Sequence, residues 1–134
     1  MAVKFSNQLK AFAVKTRKKE TAVLRRSAID VLGRVTLRSP VDTGRFRANW
    51  AVGINEVGVS TAAASTDEGF GDAIGAGQQT IQSAKADDAV IISNNLPYAV
   101  RLEEGYSSQA PHGMVGITVA EWPGIIADAN EALT

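Results

Sequence analysis

The sequence predicts an α+β domain with a long N-terminal helix, a small antiparallel sheet, short helices and a C-terminal helix. Three observations predict it. From Phe5 to about Leu37, apolar residues recur in steps of three, four and seven, the stripe of a single helix. The period then drops to two, with Phe46, Ala48, Trp50 and Val52 alternating with Arg45, Arg47, Asn49 and Ala51. A second short apolar run, Ala89 to Ser93, lies between Asp87-Asp88 and Asn94-Asn95 and reads as the strand that completes a sheet.

The first helix rests on Phe5, Leu9, Phe12, Val23, Leu24, Ala28, Val31, Leu32 and Val35. Ser6 or Asn7 is placed to cap its start. Ser39-Pro40 ends it, because proline pushes the preceding residue out of the α region. Some thirty residues span about 45 Å at 1.5 Å per residue, long against a radius of gyration of about 14 Å for a compact chain of this size. Thr16 to Thr21 is polar on nearly every side, which predicts either a break there or a helix that leans on another subunit. Beyond the turn Ser39–Gly44 and the alternating strand, residues 59–77 are rich in Ala, Ser, Thr and Gly and read as a mobile loop. Ile74 to Ala86 carries a weaker helical pattern. Pro97, at a first-turn position, opens a short helix that runs to Glu104 and stops at Gly105. Residues 106–113 form a Ser, Gln, Pro and Gly loop. Met114 to Val119 fits a strand or the first turns of the last helix, which covers Ala120 to Leu133 with Pro123 near its start. There is no internal repeat, and residues 1–134 read as a single domain.

Composition removes several function classes. There is no cysteine, so no disulfide framework, thiolate metal site or cysteine nucleophile. His112 is the only histidine, which excludes a multi-histidine metal site. No apolar run approaches the roughly 18–20 residues of a membrane span, and the N-terminus lacks the apolar core of a signal peptide. The expectation is a soluble cytoplasmic protein with no cofactor and no membrane partner. The formal net charge is zero, but residues 1–50 hold twelve bases against three acids and residues 51–134 hold two against eleven. A chain split +9 and −9 either pairs its halves internally or offers opposite faces to neighbours.

The search for chemistry is mostly negative. Gly69-Phe70-Gly71-Asp72-Ala73-Ile74-Gly75 has the spacing GxGxxxG, with no strand before it and no P-loop lysine after, and reads as a flexible loop. His112 sits between Pro111 and Gly113 in a surface turn, and no recognised spacing ties it to Asp42, Glu103 or Glu104. Glu103 and Glu104 are adjacent on a helix and point about 100° apart, so they do not form an acid–base pair. No enzyme is expected. The cluster Lys15, Arg17, Lys18, Lys19, Arg25 and Arg26 fits a solvated or intersubunit face, or sequence-independent contact with DNA phosphate; it lacks interleaved aromatics and a helix-turn-helix pattern.

Two stretches are more specific than their composition. One is Ser39-Pro40-Val41-Asp42-Thr43-Gly44-Arg45-Phe46-Arg47-Ala48-Asn49-Trp50. The other runs from Asn94-Asn95-Leu96-Pro97-Tyr98 through Glu103-Glu104-Gly105 to Gln109-Ala110-Pro111-His112-Gly113-Met114-Val115. In this order they resemble the tail-completion, or head-to-tail joining, proteins of long-tailed bacteriophages, from about residue 5 to 130. The resemblance implies a structural virion protein that forms a ring, typically of six subunits, at the head-proximal end of the tail. Its partners would be further copies of itself, the head–tail connector, stopper or portal-side proteins, and the tail terminator or tail tube protein. DNA would meet it only in passing through the axial channel. It would be found in the virion, and in the host cytoplasm during assembly. A tail-terminator ring that ends tube growth is a close variant; a non-specific DNA-binding accessory protein using the basic helix is the alternative from another class.

The resemblance also gives its motif residues architectural roles. Pro40 and Gly44 shape the turn, Asp42 and Thr43 bond main-chain groups within it, and Trp50 anchors the strand. Pro97, Tyr98, Glu104 and Gly105 belong to the short helix, with Gln109 and Pro111 in the loop after it. The segment 59–77 matches no part of that family pattern.

Overall fold

The structure, a computed structural model, describes residues 2–41, 45–58 and 71–133, with the backbone alone described for 2–16, 45 and 71–73. Among the described residues the chain runs α1 (Ala2–Arg38), α2 (Arg45–Ala48), β1 (Trp50–Ile54), α3 (Gly71–Ile81), β2 (Val90–Asn94), α4 (Ala99–Glu103), α5 (Val115–Ala120) and α6 (Trp122–Ala132). It is an α+β fold with one two-stranded antiparallel sheet, in which Trp50 faces Asn94, Val52 faces Ile92 and Ile54 faces Val90.

α1 is one helix of 37 residues, so the break considered for Thr16–Thr21 does not occur. Lys, Arg and Glu are good helix formers, and the polar stretch is tied to the connection between α3 and β2. The Ala86 N–H donates to Thr21 Oγ1 (3.0 Å), Arg17 pairs with Asp87, and Arg25 Nε–H donates to the Ala84 carbonyl (2.8 Å). That last bond places a cation near the carbonyl end of α3, where the helix dipole favours it. The helix starts at Ala2, so Ser6 and Asn7 stand inside it and neither caps it. It stops at Arg38, before Ser39-Pro40, as the proline requires.

The alternating segment is a strand only in its second half. Arg45–Ala48 is a helical turn and β1 begins at Trp50. Phe46, Ala48 and Trp50 are buried, but so is Asn49, which a strand's alternation would have turned outward, and that break in the alternation fits a helical turn. The turn is fixed by the Asn49 N–H donating to the Phe46 carbonyl (3.1 Å) and by Arg47 Nη2 donating to the carbonyls of Leu37 and Ser39 (3.2 Å each). Residues 71–77 belong to α3 rather than to a loop, which takes Gly71 to Gly75 of the GxGxxxG spacing into a helix; residues 59–70 lie outside the described set. Met114–Val119 resolves as helix: α5 starts at Val115.

α1 is the spine. α3 lies against both α1 and β1, while α5 and α6 pack on α1 as well. Leu32 and Ile81 are fully buried at the centre, joined by Ala28, Val35, Phe46, Trp50, Ala110 and Met114. Ile125 and Ala129 bring α6 into the interior.

Candidate functional site: the corner where the two motifs meet

Each motif supplies groups that the other lacks. Where α1 ends, Ser39 Oγ–H donates to the Val35 carbonyl (2.7 Å) and accepts the Trp50 indole N–H (2.6 Å). Trp50 is thereby held inside by a hydrogen bond as well as by its rings, which meet Phe46 edge-on at 5.8 Å. Tyr98 of the second motif reaches Phe46 at 5.9 Å. Asn94 Nδ2–H donates to the Phe46 carbonyl (2.8 Å), so the first residue of the second motif satisfies the helical turn of the first.

Gln109 joins the two directly. Its Oε1 accepts the Val41 N–H (2.9 Å) and its Nε2–H donates to the Val41 carbonyl (3.0 Å). One side-chain amide thus pairs with one residue's main chain as a neighbouring strand would. The loop bearing Gln109 is shaped by Gly105 and Gly113, with φ of +91° and +79°. A Cβ at Gly105 would lie 2.3 Å from the Pro111 carbonyl oxygen, so this left-handed position also requires a close approach.

Glu103 is a capping carboxylate that does not figure among the motif residues chosen from the sequence. Its Oε1 accepts the N–H groups of Met114 and Val115 (2.9 and 2.8 Å) and its Oε2 that of Gly116 (2.9 Å), which satisfies the open first turn of α5. Burial pushes this carboxyl up, but the three N–H bonds outweigh it and hold the group below the usual carboxylate range. Glu104, the motif residue chosen from the sequence, is exposed at the end of α4. A capping box signals itself by a three-residue spacing; Glu103 acts over eleven residues, so no local pattern announces it.

Of the remaining motif residues, Pro40 is buried, Pro97 and Pro111 are exposed, and Asp42, Thr43 and Gly44 lie outside the described residues. His112 is exposed. The basic cluster divides. Arg17 and Arg25 bond within the chain, as above, while Lys18, Lys19 and Arg26 are exposed and make no ion pair among the described residues. The side chain of Lys15 lies outside the described set. Further along α1, Arg34 pairs with Asp30 (2.7 Å) and Glu121 (3.0 Å), and Arg38 pairs with Glu121 and donates to Thr118 Oγ1 (2.9 Å). The ion pairs of Arg17, Arg34 and Arg38 with Asp87 and Glu121 join the basic half to the acidic half, so part of the charge split is balanced within the chain itself.

This geometry is architectural: buried aromatics, satisfied main-chain groups and helix caps. Residues 4–105 match the model of the family described as "Bacteriophage HK97-gp10, putative tail-component". The chain belongs to the HK97-gp10-like family. It is a structural component of a bacteriophage tail, which places it in the virion and in contact with other tail proteins. The match covers α1 to α4 and ends at Gly105, so Gln109, α5 and α6 lie beyond it. No curated protein and no solved structure matches the chain significantly.

Proposed function

We propose that this tail component is a single-domain subunit of a ring, of six copies, at the head-proximal end of the tail. There it joins the tail to the head connector and lets DNA pass through its channel. The observation that carries the reading is α1: 37 residues, about 55 Å at 1.5 Å per residue, in a chain of 134. A helix of that length on so small a domain offers surface for neighbouring subunits, and head-to-tail contacts with a closing rotation make rings. The motif residues act as scaffold, holding the corner that α1 runs into, and no catalytic role is assigned to any of them. Electron microscopy of virions with this protein labelled is expected to show density at the head–tail junction. Label elsewhere along the tail, or no ring at the junction, rejects the reading. Overlong tails in its absence would favour the terminator variant.

The exposure of Lys18, Lys19 and Arg26 supports one second reading, an accessory protein that binds duplex DNA without sequence preference. It requires binding that weakens steeply with salt and on neutralising these three residues. No binding at low salt removes it.

A further inference from the structure

Residues 51–134 hold two bases, Lys85 and Arg101, and the fold sends them to different places. Arg101 lies over the Tyr106 ring, 4.4 Å from its centre. Lys85, in the connection between α3 and β2, comes to the basic stretch of α1. There it lines a groove of about 440 Å³ together with Arg17, Lys18, Thr21 and Arg25. The lining holds four cations and no acid. The acids beside Lys85 in the chain are occupied: Asp87 pairs with Arg17, and Asp88 accepts the Lys85 main-chain N–H (2.8 Å) and the Asn55 side-chain amide (3.0 Å).

Two groups in this groove carry donors that the chain itself leaves unused. Thr36, Thr80 and Thr118 each donate the hydroxyl hydrogen to the carbonyl four residues back (2.7, 3.3 and 2.7 Å), a common habit of threonine in helices. Thr21 does not. Its Oγ1 accepts the Ala86 N–H (3.0 Å), and its O–H has no acceptor among the described residues. Arg25 donates its Nε–H to the Ala84 carbonyl (2.8 Å), which fixes the guanidinium and leaves both terminal NH2 groups without a partner among the described residues. A tethered guanidinium, a hydroxyl donor and flanking ammonium groups are the donor set that phosphate takes. We propose that this groove binds phosphate groups of duplex DNA, with Arg25 and Thr21 as fixed donors and Lys18 and Lys85 as flanking charges. The proposal rests on the second reading above, and it adds to the exposed face of α1 a site built jointly with residues 84–87. Two features favour DNA over an acidic protein. No large exposed apolar side chain lines the groove, so it lacks the anchor of a protein interface. The bases from Lys18 to Arg26 extend over about 12 Å of helix, and duplex DNA presents one charge per about 1.7 Å of its axis.

Lys85→Gln and Arg101→Gln change the net charge equally and differ in place, so together they test the groove. With a labelled duplex of random sequence, Lys85→Gln is expected to weaken binding about tenfold at moderate salt and to lower the slope of log K against log salt by about one. Arg101→Gln is expected to leave both within about twofold, because its charge is screened from the groove. Asp87→Asn frees Arg17 and is expected to tighten binding, more than Glu104→Gln does by removing the same charge from an exposed position outside the groove. Equal effects of Lys85→Gln and Arg101→Gln overturn the groove and leave the second reading standing. So does a Lys85→Gln protein that binds normally while Lys19→Gln weakens binding. No binding at low salt overturns both. Binding of polyglutamate in place of DNA would assign the groove to an acidic protein and also overturns the proposal.

Discussion

The corner around Ser39 and the helix α3 both pack on α1, and they do so by opposite means. At the corner, side chains are added to meet main-chain groups: Gln109 pairs with Val41, Asn94 with the Phe46 carbonyl and Glu103 with the start of α5, while the Trp50 indole N–H meets the Ser39 hydroxyl. In α3, side chains are taken away. Gly77 is buried where a Cβ would lie 2.4 Å from Leu32 Cδ2 and 3.0 Å from Val52 Cγ2, so its absence lets the helix approach α1 and β1 together. Bonding side chains such as Asn94 and Gln109 stand within a recognisable motif. A missing side chain leaves a glycine, which reads as a loop.

The largest effect is expected at Trp50, which is 6% exposed. Trp50→Ala removes the ring contact with Phe46 and the bond to Ser39, and is expected to cost about 3–5 kcal/mol in urea unfolding. Trp50→Phe keeps an aromatic ring and loses the indole N–H, with about 1 kcal/mol attributable to the bond. If the alanine variant lost less than about 1 kcal/mol, the corner would not be the firmly built region this comparison describes.

Glu103 comes next. Glu103→Gln exchanges charge-assisted bonds for a neutral amide at the start of α5, with an expected loss of about 1–2 kcal/mol at neutral pH. Its pH dependence has a definite sign. A carboxyl held below its unfolded pKa adds stability above that unfolded value, and loses it as the pH falls through the folded one. The difference between the natural protein and the variant should therefore shrink in acid. Asp88 and Glu121 are also held low, by main-chain and Asn55 bonds and by Arg38 and Arg34 respectively, so the difference is the informative quantity. Glu104→Gln, at an exposed position, is expected to change stability by no more than about 0.5 kcal/mol.

Those two residues also mark how far the sequence could be read. The α+β class was legible, because a helix-ending proline and a change of hydrophobic period each have a local signature. Glu103 was not, since it bonds a turn eleven residues away and its neighbour Glu104 has the same chemistry. Arg45–Ala48 was not, since four residues of alternating hydrophobicity suit a strand or a turn equally. The continuity of α1 was not, since what steadies Arg17, Thr21 and Arg25 comes from residues 84–87, a long way along the chain.

The sharpest test of the comparison is also the smallest, because it lies within α3. A Cβ at Gly75 would meet nothing within 4 Å, unlike one at Gly77. Gly75→Ala then acts only through backbone freedom and helix propensity, and is expected to stabilise by about 0.5–1 kcal/mol. Gly77→Ala gains the same propensity but forces a methyl against Leu32, which has no exposed surface and little room to move. Overpacking of that kind costs about 1–3 kcal/mol, leaving a net loss of about 1 kcal/mol. The two substitutions are identical in chemistry and two residues apart on one helix, so the opposite signs in paired thermal melts isolate the close approach. The same sign at both positions would mean that α3 does not depend on a missing side chain to reach α1.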